Sequence, residues 1–179
     1  MASARVSMRH VWSAARGIAT AAADATEQRM TRFSRFPITL YRIQPSLPVA
    51  LRSYADQMAK GRASFDLKLH DGLYKPIGPP KDKFHTPNGM SLRPAGANML
   101  SILENFRGSP MIYAFVCGME VPKDMALYHE HTDHYSLQTD VDIPLEEYNE
   151  KLTSLLQSVP AQTKEQFLEM LNDDNDQDN

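Results

Sequence analysis

His129-Glu130-His131-Thr132-Asp133-His134-Tyr135-Ser136-Leu137-Gln138 places three histidines, two carboxylates, a tyrosine and a serine within ten residues. Its second half is rich in residue types that favour strands, so we predict a strand over 134–138. Directly afterwards, Pro144 stands at the start of the clearest helical pattern in the chain, with two glutamates in its first turn. We therefore expect the chemistry of this protein on a strand near the end of its folded part.

The rest of the chain reads as one folded domain, residues 36–159, between two tails. Further strands are predicted at 37–43, 90–93, 111–117 and 126–128. Helices are predicted at 47–60, 98–106 and 164–171. Residues 62–87 are rich in Gly and Pro and predict a long structured loop. Residues 160–179 are expected to form a short helix and then an acidic, disordered tail.

The first 35 residues differ from the remainder in charge. They contain six arginines, no lysine and two acids, whereas the whole chain has 19 basic and 22 acidic residues. On a helix, Val6, Val11, Trp12 and Ile18 alternate with arginines, a basic amphipathic pattern that resembles a mitochondrial transit peptide. We predict a mitochondrial matrix location, with an unaddressed basic tail and a cytoplasmic location as the alternative.

Several classes of protein are disfavoured by composition. The nearly even charge argues against a general nucleic-acid binder, and no apolar run reaches the about 20 residues needed to span a bilayer. The single cysteine, Cys117, cannot form an internal disulfide and is interpreted as a buried core thiol. The chain has neither a glycine-flanked serine nucleophile nor a phosphate-binding glycine loop. A serine hydrolase or a nucleotide-binding fold of those types is not expected.

The histidines raise metal binding as an alternative. His129, His131 and His134, together with Asp133, offer ligands suited to zinc or iron. On an extended chain the first two share a face, while His134 lies opposite unless the chain bends at Thr132. Because the spacing matches no short, fixed metal signature, a polar strand and loop is the favoured interpretation, and no metal is expected.

Five short motifs are distributed over residues 40–152. They are Leu40-Tyr41-Arg42, Asp71-Gly72-Leu73-Tyr74-Lys75-Pro76, Asn88-Gly89-Met90-Ser91-Leu92-Arg93, His134-Tyr135-Ser136-Leu137 and Tyr148-Asn149-Glu150-Lys151-Leu152. In this order they resemble the cytotoxic ADP-ribosyltransferase-like domain known from a bacterial type VI secretion effector and its fungal relatives, over roughly residues 36–158. The resemblance implies an α+β fold with a split, mixed β-sheet core and flanking helices, and NAD as the substrate in the cleft between two small sheets.

The resemblance also implies roles for three polar strand residues. Arg42 would clamp the pyrophosphate of NAD, because a guanidinium binds phosphate oxygens in a bidentate way, and Arg93 would assist or replace it. Ser91 would brace the nicotinamide pocket. Without the resemblance, a surface ion pair for either arginine and an ordinary polar strand position for the serine remain open.

Four other residues are candidates for the NAD site. His134 would hydrogen-bond a ribose hydroxyl and Tyr135 would stack on nicotinamide, although alternate strand positions allow at most one of them to point straight into a cleft. Tyr74 and Lys75 would line the cleft from their turn. A packed tyrosine in a tight turn is the alternative for the last two.

The catalytic carboxylate is where the chain departs from most ADP-ribosyltransferases. Gln138 stands where a late-strand glutamate is expected, and its amide accepts a ribose hydrogen bond without supplying negative charge. Glu130 or Asp133 would have to fill that role from another position. Two hypotheses follow: an NAD-dependent toxin of the glycosyltransferase class, with an unknown intracellular acceptor and a neutralising immunity-type partner, or an inactive NAD-binding or protein-interaction module of the same fold.

Overall fold

The computed structural model describes residues 30–77 and 86–177. The strands, in chain order, are β1 (Thr31–Phe33), β2 (Leu40–Gln44), β3 (Leu69–His70), β4 (Leu73–Tyr74), β5 (Met90–Leu92), β6 (Met111–Phe115), β7 (Met125–His131), β8 (His134–Thr139), β9 (Ile143–Pro144) and β10 (Ala161–Thr163). The helices are α1 (Tyr54–Ala59), α2 (Ala97–Asn105), α3 (Leu145–Gln157) and α4 (Lys164–Gln177). The predicted α+β class is confirmed.

Two main sheets form a split β-sheet core. One has the strand order β1-β7-β8-β5 and the other β10-β6-β2, and both are antiparallel throughout. The sheets meet where Tyr41 N–H donates to Arg93 O at 2.7 Å and Arg93 N–H donates back to Tyr41 O at 3.1 Å. A third, small sheet has the order β3-β4-β9, and among the described residues the parallel pairing is a bridge between Ser53 and Leu67.

Strand β8 of the β7–β8 hairpin has one face in the main core and one polar face. Leu137 and Tyr135 point into the main core, where α3 adds Tyr148. His134 and Gln138, at alternate positions, belong to the opposite face. All six residues of β8 are buried, so both faces are covered.

A second, smaller core lies between the paired strands β2 and β6 and helices α2 and α4. It contains Met99, Leu103, Ile112 and Phe167. Tyr41 packs its ring edge-on against Phe167, with centroids 5.0 Å apart, and Ile43 joins the same cluster. The side chain between them, Arg42, therefore leaves β2 on the other face, as the alternation predicted.

Helix α1 begins later than the sequence predicted, at Tyr54 instead of residue 47. Ser53 is its N-cap, and Ser53 Oγ accepts from Asp56 N–H at 3.2 Å. The preceding segment is extended because side chains of α3 accept hydrogen bonds from its backbone N–H groups. Thr153 Oγ1 accepts from Val49 N–H, and Asn149 Oδ1 accepts from Leu51 N–H. These long-range hydrogen bonds replace the helical ones that the local pattern favoured.

The region expected to be a long loop contains the β3–β4 hairpin. Asp71 and Gly72 form its turn with φ of 55° and 80°, a left-handed conformation that glycine and aspartate tolerate better than most residues. Strand β4 then pairs with β9. Residues 78–85 of the expected loop lie outside the described residues.

Both tails differ from their predicted structure where they are described. Strand β1 lies within the range assigned to the basic leader, yet it pairs with β7. Helix α4 continues to Gln177, beyond the predicted end at 171 and into the tail expected to be disordered. Residues 1–29 of the proposed transit peptide, which was predicted over residues 1–35, lie outside the described residues. Among the described residues, no helix is long and apolar enough to cross a membrane.

Cys117 is exposed instead of buried in the core. It follows the end of β6, and its Sγ lies 3.4 Å from Pro37 O. The apolar run that suggested a buried thiol ends as a strand at Phe115, so the cysteine falls in the turn after it.

Candidate active site

A cleft of about 540 Å³ opens along the seam between the two main sheets. Its polar lining includes four residues that the sequence predicted, Arg42, Ser91, Arg93 and His134, together with Arg52 and Asp66. The apolar side is formed by α2 and the residue after it, including Met99, Ile102 and Phe106. Consecutive residues of β2, from Tyr41 to Gln44, line the cleft together with residues of β5 and β8. The cleft therefore borders both faces of β2, the one that carries Arg42 and the apolar one next to α2.

Arg42 is half-buried in the wall of this cleft. Its Nε donates to Gln44 Oε1 at 3.1 Å and its Nη1 donates to Ser91 O at 3.3 Å, so β5 and β2 both orient the guanidinium. Burial lowers the pKa of Arg42, and the nearby Asp66 carboxylate acts in the opposite direction. An arginine pKa starts so far above neutrality that the side chain remains a cation.

Arg52 and Asp66 form an ion pair on the cleft wall that the sequence did not predict. The Arg52 Nε and Nη2 donate to the two oxygens of Asp66 at 2.9 and 2.8 Å, and the Arg52 backbone N–H donates at 2.7 Å. Burial alone would raise the pKa of Asp66, but these hydrogen bonds outweigh it and hold the pKa below its usual value. The Arg52 side chain is 47% exposed, so it still faces solvent.

Arg93 and Asp133 are bound to each other. Arg93 Nη1 donates to Asp133 Oδ1, and Asn98 Nδ2 donates to the other carboxylate oxygen at 3.0 Å. This contact ties the seam of the two sheets to the turn of the β7–β8 hairpin. Asp133 therefore neutralises Arg93 in this structure instead of standing as a catalytic carboxylate.

Ser91 and His134 share the wall of the cleft formed by the β5–β8 pair. Ser91 stands opposite Ser136 in the ladder, and His134 is two residues earlier on the same face. The His134 ring is held by Glu130, with Nδ1 2.7 Å from Glu130 Oε2. Glu130 is 1% exposed, so the pair places a buried carboxylate directly behind the cleft histidine.

Tyr135 lies on the opposite face of β8 and does not line the cleft. Its ring stacks on His129 with centroids 4.5 Å apart and contacts Phe33 at 6.3 Å. The predicted stacking of Tyr135 on nicotinamide is therefore not supported, because the period of the strand gives the cleft to His134.

Gln138 and Tyr74 belong to a closed polar network instead of the cleft. Gln138 Oε1 accepts from Ile77 N–H at 2.8 Å and from Tyr74 and Asn88 at 3.3 Å, while its Nε2 donates to Ser136 Oγ at 2.9 Å. Neither Gln138 nor Tyr74 has any exposed surface. The sequence-based roles of Gln138 on ribose and of Tyr74 in the cleft have no support in this geometry, because internal partners occupy both side chains and neither lines the cleft.

Tyr148, which packs against the Tyr74 ring of this network, is also fully buried. Tyr74 stacks on Tyr148 with centroids 4.5 Å apart, and the Tyr148 hydroxyl donates to Leu137 O and accepts from Met90 N–H. Burial raises the pKa of both phenols, so they remain neutral donors. Tyr148 thus joins α3 to the strands beside the cleft.

Lys75 also lies away from the cleft. Its Nζ is 3.7 Å from Asp71 and 3.9 Å from Asp142, and its side chain is 39% exposed. These are long, solvated contacts on the β3–β4 hairpin side of the molecule. The predicted role of Lys75 in binding NAD has no support in this geometry.

The β7–β8 hairpin brings together a different set of possible metal ligands from the one that the sequence suggested. Glu130, His131 and His134 have ligand atoms that all lie within 4.8 Å of one another. His129 is not in this group: it stacks on Tyr135 and its Nε2 lies 2.9 Å from Thr132 O. Burial, then the neighbouring His134, lowers the pKa of His131.

The split sheet and the arginine-lined cleft at its seam agree with the ADP-ribosyltransferase-like arrangement that the motifs implied. The chain belongs to the Tse2 ADP-ribosyltransferase toxin family, which it matches over residues 38–167. The predicted family resemblance is thereby confirmed. No curated protein and no solved structure gives a significant match.

Proposed function

We propose that this protein binds NAD in the cleft between the two sheets, cleaves the bond between nicotinamide and ribose, and transfers ADP-ribose to an acceptor inside cells. The observation that carries the proposal is the convergence of Arg42, Arg52 and Arg93 on one cleft beside Ser91. A dinucleotide has two phosphate charges, which guanidinium groups bind through paired hydrogen bonds. The apolar wall from α2 suits a base.

Arg42 is the central phosphate ligand in this proposal. Its guanidinium is fixed by Gln44 and by the Ser91 carbonyl before any ligand arrives, which lowers the ordering cost of binding. Arg52 faces the same cleft with about half of its side chain exposed. Ser91, on the adjacent strand, offers a hydroxyl to the nicotinamide end.

The reaction itself needs negative potential near the ribose. Loss of nicotinamide develops positive charge on that sugar, and a nearby carboxylate stabilises it. Gln138 does not supply this charge, and Asp66 is neutralised by Arg52. Glu130 lies one hydrogen bond behind His134, so we assign His134 to the ribose hydroxyls and Glu130 to holding and polarising that imidazole.

The direct test is nicotinamide release from NAD by the full chain, comparing Arg42→Ala with Arg42→Lys. Arg42→Ala should lower kcat/KM by roughly 100-fold or more, and lysine should restore little because it lacks the planar fork. Arg62→Ala is the matched control, since Arg62 is exposed and lies outside the cleft. Undiminished release by Arg42→Ala, or an equal loss in the control, would contradict the proposal.

An inactive module that binds NAD without cleaving it is the second candidate. The observation in its favour is Gln138, an uncharged and internally saturated residue at the position where a glutamate was expected. The same purified chain distinguishes the two, because a module would bind NAD with an Arg42-dependent affinity and release no nicotinamide.

The proposal also includes an intracellular acceptor of ADP-ribose, a neutralising protein partner and a mitochondrial location. A toxin that consumes NAD would harm the cell that makes it, so we include a protein partner that blocks the cleft. A mitochondrial matrix location stays a prediction and rests on the basic amphipathic pattern of the leader, residues 1–35, of which 1–29 lie outside the described residues.

A further inference from the structure

Two imidazoles and a carboxylate meet at the end of the β7–β8 hairpin. They belong to His131, His134 and Glu130, and their ligand atoms lie within 4.8 Å of one another. We propose that this cluster binds one divalent transition-metal ion of the zinc type. The set differs from the one that the sequence suggested, which included His129 and Asp133.

A β-bulge is what brings the three side chains together. His129 pairs with Tyr135 and His131 pairs with His134, so Glu130 is an extra residue in β7 without a partner in the ladder. On a regular strand, Glu130 and His131 would point to opposite faces. The bulge re-aims them, and a metal cluster forms from consecutive residues that simple alternation would separate.

The two imidazoles are also arranged by the hairpin. His131 and His134 are directly opposite each other across the turn, and their rings stack with centroids 5.1 Å apart and planes 19° from parallel. Thr132 takes a φ of 47° in the two-residue connection, which sets this close crossing. The backbone of the hairpin therefore holds the two imidazole rings close to each other.

The donor chemistry fits zinc. Two histidines and one glutamate form the ligand set of zinc sites that keep a fourth position open. Donors bound to one zinc ion at their usual bond lengths lie roughly 3.3 Å apart, so the present spread closes by side-chain rotation. His131 is only half-buried and is the ligand that has room to move, whereas Glu130 and the His134 side chain are 1% and 9% exposed.

The surrounding charges allow a cation. Glu130 contributes a buried carboxyl group, and the guanidinium of Arg93 is paired with Asp133. Asp133 and His129 are engaged elsewhere, with Arg93 and Tyr135 respectively, and so are not ligands. Substitution of any of the three ligands, Glu130, His131 and His134, should therefore weaken metal binding, whereas substitution of Asp133 or His129 should not.

Direct metal titration tests the proposal without any enzymatic assay. The untagged full chain, stripped of metal, is titrated with Zn²⁺ against a chromophoric chelator. We expect one equivalent to bind, with affinity at least tenfold weaker in Glu130→Gln and in His131→Ala. His129→Ala and the exposed His70→Ala are controls and should retain the wild-type affinity.

Thermal unfolding distinguishes a variant that has lost only the metal site from one that has lost its fold. Zn²⁺ should raise Tm of the wild type and of His70→Ala, while His131→Ala should keep a cooperative transition that Zn²⁺ does not shift. Absence of saturable binding in the wild type would overturn the proposal. Equal binding by His131→Ala and His70→Ala would overturn it as well.

A second consequence rests on the proposed function. Since His134 lines the cleft, an ion that holds it should slow nicotinamide release by the wild type. His131→Ala retains the Glu130–His134 contact and should be active but insensitive to Zn²⁺. If the chain binds Zn²⁺ and releases no nicotinamide at all, the metal site stands and the proposed function fails.

Discussion

The cleft around Arg42 on β2 and the network around Gln138 on β8 are both polar and are separated by β5, yet they differ in how much of their polar surface is accessible to a ligand. In the network, Gln138 uses both ends of its amide on internal partners and has no exposed surface. In the cleft, Arg42 and Arg52 are held by protein groups but still border an open volume of about 540 Å³. Hydrogen-bond saturation, more than residue type, separates a structural polar group from a binding one.

Gly89→Ala should have the largest effect on stability, because Gly89 is closely packed against residues beside the Gln138 network. Gly89 has a φ of +136°, and an added Cβ would lie 2.7 Å from Leu137 O and 3.0 Å from the Tyr148 hydroxyl. We expect a loss of about 3 kcal/mol or more in the free energy of unfolding in urea. Gly72→Ala is the control: its φ is +80° with nothing near the new Cβ, and about 1 kcal/mol is expected.

Gln138→Leu should break the network through lost hydrogen bonds. The change removes the acceptor of Ile77 N–H and the donor to the buried Ser136 hydroxyl, which should cost about 2 to 3 kcal/mol in urea unfolding. Arg42→Gln is the counterpart in the cleft, where solvent replaces lost contacts and stability should change by under about 1 kcal/mol. Equal destabilisation by both variants would remove the distinction between the two regions.

Asp66→Asn should reveal the cleft's ion pair through pH. The folded pKa of Asp66 is below its unfolded value of about 4, so its contribution is fully present above that value and is lost as pH falls through the folded pKa. We expect a loss of about 1 to 2 kcal/mol at pH 7 and a flatter stability curve in the acid range. An unchanged slope between pH 5 and 2, as measured by thermal unfolding, would count against this assignment.

Lys75→Ala should have the smallest effect, since this residue belongs to neither region through its side chain. Its contacts with Asp71 and Asp142 are long and exposed, and such pairs contribute about 0 to 1 kcal/mol. We expect stability within about 0.5 kcal/mol of the wild type and less than a roughly twofold change in nicotinamide release. A large loss of release would place Lys75 in the binding site after all.

Local periodicity predicted much of the fold. Strand β5 and helices α2 and α3 lie close to the positions that their apolar spacing indicated. The same alternation placed Arg42 opposite Tyr41 and Ile43, and it separated His134 from Tyr135. These parts were predictable because each depends on residues only a few positions apart.

Contacts between distant residues were beyond such patterns. Arg52 and Asp66 meet across a segment expected to be a helix and a loop, and α1 is shortened by hydrogen bonds from α3. The role of Gln138 depends on Ile77, 61 residues earlier in the chain. No spacing in the sequence marks a bulge at Glu130 either, so the metal cluster appears only when the ladder register is known.

Strand β1 also determines where the chain tolerates shortening. It covers the outer edge of β7, and Met30 just before it packs with Ala126 and Tyr128. A protein that began at Phe36 would leave the N–H and C=O groups of that β7 edge unpaired, and two such copies would pair along it. Shortened forms that start after β1 should therefore aggregate, whereas those that retain Met30 should stay dispersed.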